Sequence, residues 1–227
     1  MSAFSLIKAS IKGDKPINQD AVLTYEDANY VIMSLADGLG TAIHSEVGAN
    51  EICKSVIGMT RRSIKESAPL SLMSILSEWV TRLDKKGYQI QECKTTNSFV
   101  IVNKSEHRVF AASVGDSMIC IECDGQLNVH MPEKDFANLT ECIGGEPHSR
   151  YNIYNYTFKD SIRVLIASDG ICDELEIDSL TEMLEYLTGK YEDIAQRRRN
   201  QKFAGEIRRT FAGLNADDKS ILLLWNH

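Results

Sequence analysis

Apolar positions change period along the chain, and each change marks an element. Residues 22–24 and 30–36 carry β-type runs around the polar Glu26-Asp27-Ala28-Asn29, which predicts a hairpin. From Ser45, read as an N-cap, Ala49, Ile52, Cys53, Val56, Ile57 and Ile64 recur at helical spacing. Pro69 separates this helix from a second stripe, Leu72, Leu76, Trp79 and Leu83, with Gly87 near its end. Both stripes read as core packing. Strands follow at 99–103, 108–114 and 118–122, with a tight turn at Gly115-Asp116-Ser117 and a hairpin turn at Asp124-Gly125. Residues 131–150 lack a period and include Gly144-Gly145 and Pro147. Strand character resumes at 151–158 and 163–167. Helical spacing returns at 175–187 and 194–214, where Arg197-Arg198-Arg199 reads as a solvated face, and 221–225 is a closing strand.

The order is therefore two strands, two helices, a run of strands, two helices and a strand. No repeat, low-complexity tract or linker divides it, so 1–227 is expected to be a single domain. A long antiparallel strand run with paired helices predicts helices packed outside a β-sandwich.

Composition adds limits. Hydrophobic residues make up 43% and charged residues 25%, enough for a sizeable core. The net charge of -7 argues against nucleic acid as a partner. Met1 to Gly13 has no signal-like apolar core, and the longest apolar runs are strand-sized. Cytoplasmic residence with no membrane partner is the expectation. The six cysteines include Cys120-Ile-Glu-Cys123. In a strand, positions i and i+3 face opposite sides, and no second such pair exists, so packed thiols are expected rather than a zinc site.

Four acidic motifs carry the candidate chemistry: Asn18-Gln19-Asp20, Asp37-Gly38-Leu39-Gly40, Ser168-Asp169-Gly170 and Asp217-Asp218-Lys219-Ser220. Each borders a strand. Asp is depleted from strands, and buried carboxylates need a partner. Two such charges about 4 Å apart repel by about 4 kcal/mol at an effective dielectric near 20. Cations relieve that cost, and carboxylates select Mg²⁺, Mn²⁺ or Ca²⁺. Taken singly, each Asp-Gly is equally an ordinary turn. A third dinucleotide glycine is missing, because position 43 is Ile. The five histidines show no ligand spacing, and His44, the one near an acidic motif, reads as a surface or packing residue.

Read in order, the motifs resemble the metal-dependent serine/threonine protein phosphatases of type 2C, in a bacterial-like form. Gly13-Asp14-Lys15-Pro16-Ile17-Asn18-Gln19-Asp20 is similar to G-x-R-x-x-N-[EQ]-D, and Ala36-Asp37-Gly38-Leu39-Gly40 to A-D-G-[MH]-G. Lys94-Thr95-Thr96 resembles G-T-T, and Val114-Gly115-Asp116-Ser117 matches V-G-D-S. Residues 140–145 resemble a loop ending in a double glycine. Ala167-Ser168-Asp169-Gly170-Ile171-Cys172-Asp173 matches A-S-D-G-[LIV]-x-D, and Asp217-Asp218-Lys219-Ser220 resembles D-N-x-[TS].

The resemblance implies an α+β fold, a four-layer α-β-β-α sandwich of two mainly antiparallel sheets flanked by antiparallel helix pairs. It implies hydrolysis of phosphoserine and phosphothreonine on proteins by a metal-activated water, opposing a serine/threonine kinase. Asp37 would bridge two Mn²⁺ or Mg²⁺ ions, with the Gly38 carbonyl as a further ligand. Asp20, Asp169 and Asp217 would complete the pair, Asp37 and Asp20 counting as catalytic. Asp116 and Asp173 match positions tied to a third ion. Lys15 stands where the family's arginine holds substrate phosphate, and it lacks the bidentate fork. Leu39 replaces a histidine that some members use as general acid. Thr41 stands in place of a second glycine, and Asp218 replaces an asparagine, adding negative charge beside Asp217. The interval between Asp116 and Asp169 is short, which implies a short or missing flap. The departures motivate an alternative: a catalytically weak phosphatase-like module that binds a phosphoprotein or regulator.

Overall fold

The computed structural model describes residues 4–131, 141–145 and 150–226. Thr140, Pro147, His148 and His227 lie outside these residues, as do 132–140 and 146–149 within the interval where a flap is expected to be short or missing. Ten strands form two sheets. The first sheet has the order β1 (Phe4–Ile11), β10 (Lys219–Asn226), β9 (Ile162–Ala167), β6 (Met118–Cys123), β7 (Gln126–His130). The second has the order β2 (Asp20–Glu26), β3 (Tyr30–Asp37), β4 (Asn97–Asn103), β5 (Arg108–Val114), β8 (Asn152–Thr157). Every strand pair is antiparallel.

Five helices complete the layers: α1 (Ser45–Glu66), α2 (Leu72–Asp84), α3 (Asp169–Cys172), α4 (Leu180–Glu192) and α5 (Gln196–Phe211). Three apolar clusters hold the layers together. Val31, Leu35, Val100, Ile119, Ile166 and Leu222 meet between the sheets. Ile32, Ile52, Val56, Trp79 and Phe99 join the second sheet to α1 and α2. Ile7, Leu165, Leu184, Phe203, Ile207 and Leu223 join the first sheet to α4 and α5. The expected four-layer α-β-β-α sandwich is therefore the fold. No helix of the described residues is long and apolar enough to cross a membrane.

The Asp124-Gly125 turn is a hairpin turn with positive φ at both residues, 50° and 83°, the conformation that matches strand twist. Cys120 faces the α4–α5 core and Cys123 faces the opposite core, as period-2 alternation requires. All six cysteines are free and buried.

Several elements differ from the sequence reading. β1 was not anticipated, because Ser5, Lys8 and Ser10 interrupt its apolar positions. Its burial alternates strictly, with Ile7, Ala9 and Ile11 on the helix side. Ser45 is not the N-cap of α1. His44 holds that position, and the buried Ser45 hydroxyl accepts from Gln19 Nε2 at 2.6 Å. The helix expected at 175–187 starts with a short 3-10 turn, Ile177–Ser179, and runs on to Glu192, because Leu180, Leu184, Leu187 and Tyr191 form its buried stripe. Arg199 leaves the solvated face of its run. Its guanidinium donates to the Ile194 and Glu192 carbonyls and to Ser5, and it lies over the Trp225 ring.

Arg199 therefore ties α5 to the start of β1, whereas Arg197 is exposed. Arg199→Ala is expected to lower unfolding free energy by about 1–3 kcal/mol in urea titrations, and Arg197→Ala by less than about 0.5 kcal/mol. Equal effects would remove Arg199 from this role.

Candidate metal centre

The register of the second sheet sets two acids face to face. Asp20, first in β2, stands opposite Asp37, last in β3. Like charges directly opposite in a sheet oppose pairing, so neighbouring segments must fix this geometry. Thr96 does so from the start of β4. Its hydroxyl accepts from Asp37 N at 3.0 Å, and its own N–H donates to the Asp37 carbonyl at 2.7 Å. Thr95 Oγ1 donates to the same carbonyl at 2.8 Å. Gly38 N donates to the Gln19 carbonyl at 3.1 Å. A Cβ on Gly38 would come within 2.7 Å of Ser45, so glycine is what lets this turn lie against α1.

The third and fourth acids come from the first sheet. Asp169 opens α3 directly after β9, and Asp217 precedes β10. Ser168 Oγ donates to Asp20 Oδ2 at 3.0 Å, joining the two sheets at the acidic cluster. A Cβ on Gly170 would lie 2.1 Å from the Asp218 carbonyl oxygen, so this turn too requires glycine.

Asp218 does not face the cavity. It is buried, and its two oxygens accept from Gly13 N and Gln19 N, each at 2.7 Å. The negative charge that Asp218 adds beside Asp217 is held on backbone amides, and the carboxylate links the loop before β2 to the loop before β10. Lys219 is also buried, and its ammonium donates to Asn215 O, Asn215 Oδ1 and Asp217 O. Together they shape the loop that presents Asp217.

These segments enclose a cavity of about 200 Å³ lined by Lys15, Asp37, Gly38, Leu39, Gly40, Thr96, Asp116, Asp169 and Asp217. Asp20, opposite Asp37 in the β2–β3 pair, is not among the lining residues. Asp173 is exposed and is not among the lining residues. His44 packs edge-on against Tyr88, as a packing histidine. Lys15 Nζ is 3.5 Å from Asp217 Oδ1.

Burial pushes Asp20 up to about 7. Burial, then repulsion from Asp20 and Asp169, raises Asp37 well above the usual carboxylate range. Burial, then Asp116, raises Asp169. Burial acts against the Lys15 ammonium, but Asp37, Asp217 and Asp218 outweigh it and hold its pKa above the ordinary value.

Among the described residues, no three His, Cys, Asp or Glu side chains converge as a ready-made cage for one ion. Asp37, Asp116, Asp169 and Asp217 line the cavity, and Asp37 lies close enough to Asp20 and Asp169 for the three to perturb one another's titration. Their donor set suits hard cations, since every side-chain ligand candidate is an oxygen. The buried Asp20 Oδ1 has no hydrogen-bond partner, an orphan that a cation or its hydration shell would satisfy. The residues present fit a divalent metal centre.

The sequence pointed to the lining acids. It missed Thr96, Ser168 and Asp218 as the frame that holds them. Asp218 carried one usable signal, a second acid beside Asp217 at the edge of an apolar strand.

Comparison with known proteins follows this geometry. A sequence model described as Protein phosphatase 2C matches residues 9–208. No curated protein matches the chain in sequence. Among solved structures, RsbX in complex with magnesium is 15% identical, with all of both chains covered and a TM-score of 0.63. The catalytic domain of the serine/threonine protein phosphatase PstP, in complex with two manganese ions, is 15% identical over 100% of this chain and 99% of that one, with a TM-score of 0.65. PppA, a regulatory component of type VI secretion in Pseudomonas aeruginosa, is 13% identical over 100% and 99%, with a TM-score of 0.67. At these identities the likeness establishes the fold.

The raised acids carry a pH signature. In the unfolded chain Asp20 titrates near 3.8, and in the fold at about 7. The fold holds this proton more tightly, so its stabilisation is full below pH about 4 and is lost as pH rises through about 7. The urea midpoint of chelator-treated protein is expected to fall between about pH 5 and about pH 8, and Mn²⁺ is expected to restore it. A midpoint that rises over that interval without metal contradicts the assignment.

Proposed function

The chain belongs to the protein phosphatase 2C family, and from that premise we propose that it hydrolyses phosphoserine and phosphothreonine monoesters on proteins. The observation that carries this reading is the cavity lined by Asp37, Asp116, Asp169, Asp217 and Lys15, with Asp20 opposite Asp37 in the adjacent strand.

Asp37, Asp20, Asp169, Asp217 and the Gly38 carbonyl would hold two Mn²⁺ or Mg²⁺ ions. Asp116 is the cavity-lining candidate for a third, with Asp173 outside the wall. When bound, the ions supply Lewis acidity that makes water nucleophilic near neutral pH and offsets charge on phosphoryl oxygens. The chain's own residues do the rest. Lys15, kept charged by its acidic neighbours, attracts the substrate phosphate and exchanges its ion pair with Asp217 for one with the ligand. Its compact ammonium acts as a point charge rather than a fork. Thr95 and Thr96 hold the Asp37 backbone still, which keeps the reacting geometry preorganised. Leu39 has no proton to give, and among the described residues no histidine lines the cavity, so solvent protonates the leaving alkoxide. The physiological partner is a phosphoprotein, in opposition to a serine/threonine kinase.

The Lys15–Asp217 ion pair also favours a second reading, a weak phosphatase-like module that binds a phosphoprotein or regulator without efficient turnover. Turnover separates the two. With Mn²⁺ the protein is expected to hydrolyse p-nitrophenyl phosphate and a phosphothreonine peptide, and chelation is expected to stop both. Asp37→Asn is expected to lower kcat/KM by roughly 100-fold or more. Turnover no greater than that of Asp37→Asn, with phosphopeptide still bound, selects the module. Lys15→Ala is expected to raise KM for phosphopeptide more than it lowers kcat. An unchanged KM removes Lys15 from phosphate binding.

A further inference from the structure

α5 is a strongly basic element in an acidic protein. It carries Arg197, Arg198, Arg199, Lys202, Arg208 and Arg209 against one carboxylate, Glu206, in a chain of net charge -7. Arg199 is turned inward, as described above. Glu206 is taken up by Lys190 and Tyr191. The other five cations are exposed, and among the described residues none of them forms an ion pair. A solvated helix face ordinarily interleaves both signs, and like charges one turn apart destabilise a helix.

Their spacing is ordered. Arg198, Lys202, Gly205 and Arg209 fall at i, i+4, i+7 and i+11, on one face about 16 Å long. Gly205 sits in the middle of that face. A Cβ there would have only Arg209 Nη1 within 4 Å, at 3.5 Å. Glycine inside a helix costs about 1 kcal/mol relative to alanine. Here it leaves a groove of about 460 Å³ between α4 and α5, walled by Lys190, Tyr191, Ile194, Lys202 and Arg209, with Glu206 in the wall already paired to Lys190.

The axis of α5 runs toward the segment that carries Asp217. Near its N-terminal end, α5 touches Ser5 at the start of β1 through Arg199. Past its C-terminal end, residues 212–216 lead to Asp217, and Lys219 stands opposite Ile11 at the other end of β1. The stripe therefore runs from the far end of the sandwich toward the acidic cavity, with Arg209 nearest to it.

We propose that the Arg198–Lys202–Arg209 face of α5 docks an acidic segment of the phosphoprotein substrate, next to the phosphorylated residue in its sequence. This rests on the phosphatase reading and gives it a substrate class. A short acidic peptide matches a stripe of this length, and the groove between α4 and α5 gives it a concave, partly apolar seat. The acidic balance of the whole chain opposes a long nucleic acid or an anionic bilayer, whose fields extend beyond the stripe.

The test uses the full chain with Mn²⁺ and two phosphoserine peptides that differ only in a flanking run of Glu or Gln. The Glu peptide is expected to show kcat/KM about 10-fold higher at low salt, with the advantage lost near 0.5 M salt. The triple variant Arg198→Ala, Lys202→Ala, Arg209→Ala is expected to abolish the advantage while hydrolysis of p-nitrophenyl phosphate is unchanged. Fluorescence anisotropy with the unphosphorylated Glu peptide reads docking without turnover, so an inactive enzyme does not hide the result. Equal affinity for Glu and Gln peptides, or binding unaffected by the triple variant, overturns the proposal. So does tighter binding of duplex DNA or phosphatidylserine vesicles than of the Glu peptide through the same residues.

Discussion

Mutual repulsion among buried carboxylates is the constraint around which this end of the molecule is built. Asp20 and Asp37 face each other across adjacent strands, and Asp169 reaches Asp37 from the opposite sheet. Each is driven toward its protonated form by burial first and by a neighbouring acid second, Asp218 in the case of Asp20. Nothing in local propensity favours this arrangement. It persists because Thr95, Thr96 and Ser168 hold the backbone and side chains around it through hydrogen bonds.

The frame is made of parts far apart in sequence. Thr95 and Thr96 precede β4, Ser168 ends the turn after β9, and Asp218 precedes β10. Asp218 binds the first loop to the last through two backbone amides, so Lys15 and Asp20 are placed by the same residue pair that places Asp217. The three apolar clusters make these links rigid, because both sheets are packed on both faces. Stability from the layers thus supports a destabilised acidic seam, which is the usual relation between a scaffold and a reactive site.

The sequence exposed the seam better than its supports. Acids at the ends of apolar runs break a local rule, so Asp20, Asp37, Asp169 and Asp217 stood out without any coordinates. The helices α1 and α2 and most strands were legible from period alone. β1 was hidden by its small polar residues, whose burial comes from neighbours that sequence period cannot supply. Arg199 reads as part of a solvated face and Asp218 as one more charge beside Asp217, yet Asp218 is buried on backbone amides and Arg199 donates to backbone carbonyls. Long-range hydrogen bonds of that kind have no periodic trace. Asp173 matched a motif, but it is exposed one helical turn beyond Asp169 and is not among the residues that line the cavity.

On the proposed function, divalent cations would replace protons on these acids. Calorimetric titration of Mn²⁺ into chelator-treated protein near pH 6, repeated in two buffers of different ionisation enthalpy, counts the protons displaced. At that pH Asp20, at about 7, is mostly protonated. The account predicts saturable binding with release of roughly one proton or more per chain. Binding without proton release, or no binding, would contradict it.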